Sequence, residues 1–162
     1  MKNKKEVLRF KAEIMEELEN ISRIVGIIEK RKKEIKKHGV DAEVYLDSII
    51  HNIENFYMGI EEIFKRIAMF TDEGIPEGSR WHSILIKGMA RDIPGVRPPV
   101  IKDETRVLLD EYRKFRHLVR NIYTFNIIPQ KVIKLSRGIT KVFNALTKDI
   151  KEFLNIIEKI SR

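Results

Sequence analysis

Apolar residues recur every three or four positions along most of the chain, the period of helices that each bury one face. From Lys4 to Lys37 the recurring set is Val7, Ile14, Leu18, Ile21, Val25, Ile28 and Ile35, and Gly39 stands where such a helix would stop. Asp41 suits the N-cap of a second helix, whose stripe of Val44, Ile49, Ile53, Phe56, Ile60, Ile63, Ile67 and Phe70 keeps the same period toward Gly74. The short turn between them predicts an antiparallel hairpin.

The pattern changes from Asp72 to Glu104, where four of the five prolines (Pro76, Pro94, Pro98, Pro99) and four of the eight glycines (Gly74, Gly78, Gly88, Gly95) lie. A short helix is expected from about Arg80 to Ala90, and Trp81, Ile84, Leu85 and Ile86 call for burial, so the segment reads as a structured excursion. A further helix begins at Lys102 or Asp103. After a break at Phe125 to Ile128, Pro129 suits the first turn of a last helix carrying Val132, Leu135, Ile139, Val142, Leu146, Ile150, Phe153, Ile157 and Ile160, with an irregularity expected at Ser136, Arg137 and Gly138. No strand-like alternation competes. The expected fold is all-α, an antiparallel bundle of four long helices plus a short helix in the loop-rich segment 72–104, forming one domain over residues 1–162.

Composition narrows the setting more than the chemistry. Charged residues make up 35% of the chain and cysteine is absent, the pattern of an intracellular, cytoplasmic protein from a heat-loving organism. No apolar run is long enough to span a membrane, and the N-terminus lacks the features of a signal peptide. The net charge of +8 suits a polyanionic partner. The cluster Lys30, Arg31, Lys32, Lys33, Lys36 and Lys37 has a simpler role, complementing the negative end of the first helix.

Several active-site types drop out. There is no phosphate-loop motif and no H-E-x-x-H, and without cysteine neither a thiolate metal site nor a thiol nucleophile can form. His38, His51, His82 and His117 lie in four different segments, so no metal or cofactor is expected. Glu61 and Glu62 read as solvated carboxylates. Gly78-Ser79 resembles the start of a nucleotidyltransferase motif, but Asp92 stands alone where paired aspartates should follow.

The chemistry concentrates in Glu111 to Phe125, EYRKFRHLVRNIYTF. Drawn as one helix at about 100° per residue, it turns Leu108, Tyr112, Phe115, Val119 and Ile122 to the core. Arg113, Arg116, Arg120 and Tyr123 form a stripe beside them, with His117 and Asn121 one step further round. Arginine grips phosphate with two parallel charge-assisted hydrogen bonds and keeps its proton. Histidine titrates near neutrality, whereas asparagine orients groups without moving protons. The same arginines could equally pair with acids such as Asp110 and Glu111 or with carboxylates on neighbouring helices.

This stretch resembles the signature of the HEPN superfamily, and more closely its HepT-like branch of ribonuclease toxins, whose Arg-x4-His-x-Tyr motif lies on a late helix. Arg116 takes the arginine place, His117 the polar position after it, Asn121 the histidine place and Tyr123 the tyrosine place. Trp81-His82 and Arg97-Pro98 precede them in the order seen in that branch. The resemblance implies a homodimer that cleaves RNA without metal, the ribose 2′-hydroxyl attacking the adjacent phosphate. It also implies a minimal nucleotidyltransferase antitoxin as partner. By position, Arg116 would stabilise the phosphorane, Arg113 and Arg120 would steer the RNA backbone, and Tyr123 would be modified by the antitoxin.

Asn121 is the departure. It removes the expected acid–base group, a contribution of roughly 10²- to 10⁴-fold in rate. Either His117 takes over, giving a metal-independent endoribonuclease with Arg116, His117 and Asn121 in its site, or the chain is a catalytically weak module that presents a substrate or Tyr123 to the nucleotidyltransferase. A third, plainer reading is a helical adaptor.

Overall fold

A computed structural model describes residues 2–39 and 42–161. Among the described residues five α-helices follow one another: α1 (Lys4–His38), α2 (Ala42–Phe70), α3 (Trp81–Met89), α4 (Asp103–Asn121) and α5 (Pro129–Ile160), with a 3-10 turn at Thr124–Asn126. The all-α bundle of four long helices and one short one is therefore observed. The expected cap at Asp41 lies outside the described residues.

Helix α1 opens with a capping box, in which the Asn3 side chain accepts from the Glu6 amide at 3.0 Å and Glu6 accepts from the Asn3 amide at 2.7 Å. It closes at Gly39, whose φ of 36° is a conformation glycine tolerates, with Lys36, Lys37 and His38 in the last turn. The expected stripe is buried from Val7 to Ile28, and Phe10 joins it. Phe10 stacks on Phe70 with ring centroids 3.9 Å apart, so the start of α1 meets the end of α2 as an antiparallel hairpin requires. Gly59 allows close approach in mid-hairpin, since a Cβ there would lie 2.8 Å from Cγ1 of Ile21. Val44, expected in the stripe of α2, is exposed. It stands in the first turn, before the buried stretch that starts at Ile49.

The excursion between α2 and α4 is organised by Arg97, whose side chain is fully buried. Its guanidinium donates to Glu73 through Nε (2.5 Å) and Nη2 (3.0 Å), and to the carbonyls of Gly88, Arg91 and Pro98 at 3.1–3.2 Å. One side chain thus ties the end of α2, the end of α3 and the turn at Ile93–Arg97. Leu85 and Ile86 are buried as expected, Trp81 is half-buried, and Ile84 is exposed because it faces away from α2 and α4.

Two further contacts set α4. Asp149 of α5, almost fully buried, accepts from the Lys102 amide (2.9 Å) and the Thr105 hydroxyl (2.6 Å), capping α4 from another helix where neither Lys102 nor Asp103 caps it locally. Tyr112 donates to the Leu135 carbonyl at 2.7 Å, and burial pushes its phenol well above the ordinary range, so it remains a donor. The irregularity expected at Ser136 to Gly138 is absent. Helix α5 runs unbroken, and Gly138 leaves room beside Tyr112, where a Cβ would come within 3.6 Å of the hydroxyl.

Asp149→Ala would leave the buried Thr105 hydroxyl and the part-buried Lys102 amide without their acceptor and is expected to destabilise the fold by about 2–4 kcal/mol, read as a lower midpoint in urea denaturation, with Asp149→Asn losing less.

Candidate functional site

Helix α4 buries Thr105, Leu109, Tyr112 and Phe115. Leu109, not Leu108, is the core residue one turn before Tyr112: Leu108 is 36% exposed and Leu109 0%. The stripe is rotated by one position from its expected setting there, while Val119 and Ile122 pack only partly against the core. The helix also ends sooner than drawn from sequence. Asn121 is its last residue, and Ile122 is already extended at φ −133°, ψ 159°.

That early ending divides the motif. Arg113, Arg116, His117, Arg120 and Asn121 line one cleft of about 580 Å³, as the helical stripe requires. Tyr123 does not. It lies beyond the helix, 74% exposed, with its ring stacked parallel to Phe125 at 5.2 Å. Tyr123 therefore does not extend the arginine stripe, because the chain leaves helical geometry before reaching it.

The opposite wall of the cleft comes from Tyr57 of α2 and from Ser79, Arg80, His82 and Ser83 at the start of α3. Between the walls lies Glu61, only 4% exposed. One of its carboxylate oxygens accepts from Arg116 Nη1 at 3.1 Å and the other from His82 Nδ1 at 2.6 Å. A buried carboxylate is costly unless its oxygens are paired, and here both are. The reading of Glu61 as a solvated partner of Glu62 is thus corrected. Glu62 does face outward, and its hydrogen bond with Lys65, joined by Arg66, holds its carboxyl below the usual range.

The arginines divide between the two alternatives open from the sequence. Arg116 is held by Glu61, and Arg113 by Asp110 at 2.6 Å. Burial acts to raise the Asp110 carboxyl, but the hydrogen bond and charge of Arg113 outweigh it and keep the group below the usual aspartate range. Arg80 and Arg120 make no ion pair among the described residues and line the cleft as free cations. Asn121 turns its amide back onto its own helix, donating to the His117 carbonyl at 2.6 Å. Tyr57 stays neutral, since burial first and the charge of Glu61 second raise its phenol far above the ordinary range. Among the described residues no group of three His, Asp or Glu side chains is placed to hold a metal ion.

Sequence reasoning missed the site roles of Glu61, Tyr57 and Arg80, and noted His82 only among the dispersed histidines and as part of a resemblance. A signal for Glu61 was present. It shares the helical register of Tyr57, Phe64 and Ala68, all buried, so it is a carboxylate at a core position.

Glu61→Ala would strand the Arg116 guanidinium in a site that is 12% exposed. It is expected to cost about 3–5 kcal/mol, measured by chemical denaturation against wild type, whereas Glu62→Ala should stay within about 0.5 kcal/mol.

A search for relatives gave no significant match among curated proteins or among solved structures. A family model described as HepT-like protein does match, over residues 48–157, which takes in most of α2, the excursion and α4, and nearly all of α5. That span is more than half of the chain and contains every residue of the cleft, and on it the chain belongs to the HepT-like family.

Proposed function

We propose that this chain is one folded HepT-like domain acting on RNA as a metal-independent endoribonuclease, the toxin component of a toxin–antitoxin pair in the cytoplasm. The observation that carries the reading is the convergence of Arg80, Arg113, Arg116 and Arg120 with His82 and His117 in one open cleft. Four guanidinium groups make a site for a polyanion, and two imidazoles supply groups able to accept or donate a proton. Arg116 is oriented by Glu61, so its remaining donors are preorganised for the charge that develops on a pentacoordinate phosphate. Arg120 and Arg80 contact neighbouring backbone phosphates, and Arg113 joins them through the edge not used by Asp110. His117 and Asn121 stand on the α4 side of the scissile phosphate, Asn121 orienting rather than transferring a proton.

A second reading is favoured by one specific observation. Tyr123 is 74% exposed and lies outside the cleft, as a residue offered to another protein would be. On this reading the chain is a weakly catalytic module that docks a minimal nucleotidyltransferase and presents Tyr123 for modification. The two readings are compatible in an active toxin that its partner silences.

Two measurements test the proposal. Purified protein incubated with mixed RNA in EDTA should cleave it, and Arg116→Ala should reduce the rate by about 10²-fold or more and His117→Ala by at least tenfold. Intact RNA together with Tyr123 modified by a co-expressed nucleotidyltransferase would favour the second reading. The cleft is also proposed to be completed by a second copy of the chain, so sedimentation at micromolar concentration should give a dimer, and a strict monomer would leave a one-chain site.

A further inference from the structure

The family motif places a histidine where this chain has Asn121, and the amide there is spent on the His117 carbonyl. The cleft nevertheless holds a histidine from outside that motif. His82 stands in the first turn of α3, stacked on Trp81 at 3.7 Å, and lines the same cavity as Arg116 and His117. Its Nδ1 lies 2.6 Å from Glu61 Oε2. An ionised carboxylate only accepts hydrogen bonds, so Nδ1 carries the proton and Nε2 of the neutral ring keeps its lone pair. A buried acid behind Nδ1 fixes the tautomer and orientation of an imidazole and leaves Nε2 as the nitrogen able to accept a proton, as a general base requires.

The other histidines lack this arrangement. His38 pairs with Glu34 at the end of α1, and His51 is exposed and bonded to Asn55. His117 lines the cleft, but among the described residues it has no carboxylate behind it. Glu61 also joins the proton-handling and charge-stabilising groups, since its second oxygen holds Arg116. Two oxygens of one buried carboxylate thereby set the positions of an imidazole and a guanidinium from different helices.

We infer that His82, held by Glu61, is the general base of this site and replaces the histidine that Asn121 displaces. The inference rests on the nuclease reading. His82 Nε2 takes the proton of the ribose 2′-hydroxyl as that oxygen forms its bond to phosphorus. The bond from phosphorus to the 5′ oxygen breaks, its electron pair stays on that oxygen, and the oxygen takes a proton from the imidazolium of His117. The products are a 2′,3′-cyclic phosphate and a 5′-hydroxyl end. Exchange with water then returns both rings to their starting states. Glu61 acts through His82 and Arg116 as a positioning residue.

The test compares wild type, His82→Gln and His82→Ala on one labelled RNA in EDTA, with binding measured separately on the same RNA carrying 2′-O-methyl groups. His82→Gln keeps a side chain able to donate to Glu61 but cannot move a proton. Cleavage by His82→Gln should fall roughly 10²- to 10⁴-fold while binding of the methylated RNA changes less than about threefold, and free imidazole should restore part of the His82→Ala rate. Active wild type with His82→Gln within threefold of it overturns the assignment and leaves the nuclease reading standing. Equal losses of cleavage and binding also overturn it, since the ring would then only shape the cleft. Wild type inert toward all RNA overturns the nuclease reading, and the base with it.

Discussion

The cleft depends on one buried carboxylate. Glu61 lies in the core register of α2, and its burial would be prohibitive without compensation, because taking a carboxylate out of water costs several kcal/mol even after relaxation. Compensation comes from two directions at once. Arg116 reaches it from α4 and His82 from α3, each on a separate oxygen. Neither helix can rotate or slide far without leaving the charge unsatisfied. The same pair of bonds fixes where the guanidinium and the imidazole present their remaining polar edges, so the constraint that holds three helices together also shapes the site.

The rest of the molecule supplies the rigidity this arrangement needs. The α1–α2 hairpin, closed by the Phe10–Phe70 stack, is the platform on which Glu61 stands. Arg97 converts a proline- and glycine-rich excursion into a fixed bracket by satisfying one carboxylate and three carbonyls, and so delivers the start of α3 to the cleft. Asp149 and Leu135 of α5 seat α4 at its first turn and its middle through Lys102, Thr105 and Tyr112. The Arg97, Asp149 and Tyr112 contacts each use a polar group with its partners present, which adds specificity of position to the non-directional packing of isoleucine and phenylalanine.

The ending of α4 at Asn121 separates two kinds of chemistry. Residues up to Asn121 keep helical spacing and reach the cleft together. Beyond it the backbone extends, and Tyr123 with Phe125 forms an exposed aromatic pair. The motif therefore splits into a polar set that lines the cleft and a tyrosine that stands exposed outside it.

Much of this was legible in the sequence because helices are local. Periodicity located the four long helices and the short one to within a few residues, and arginine at spacings of three and four implied a shared face, which the cleft confirms for Arg113, Arg116 and Arg120. The family motif was equally local. What periodicity could not decide was the rotation of α4 by one residue, since Leu108 and Leu109 are equally apolar and only packing against α2 and α5 selects between them. Nor could it reveal the role of Glu61, which meets Arg116 across 55 positions and His82 across 21. A carboxylate in an apolar stripe signals that some partner must exist. Which partner it is depends on the docking of other helices, and that is a property of the tertiary structure alone.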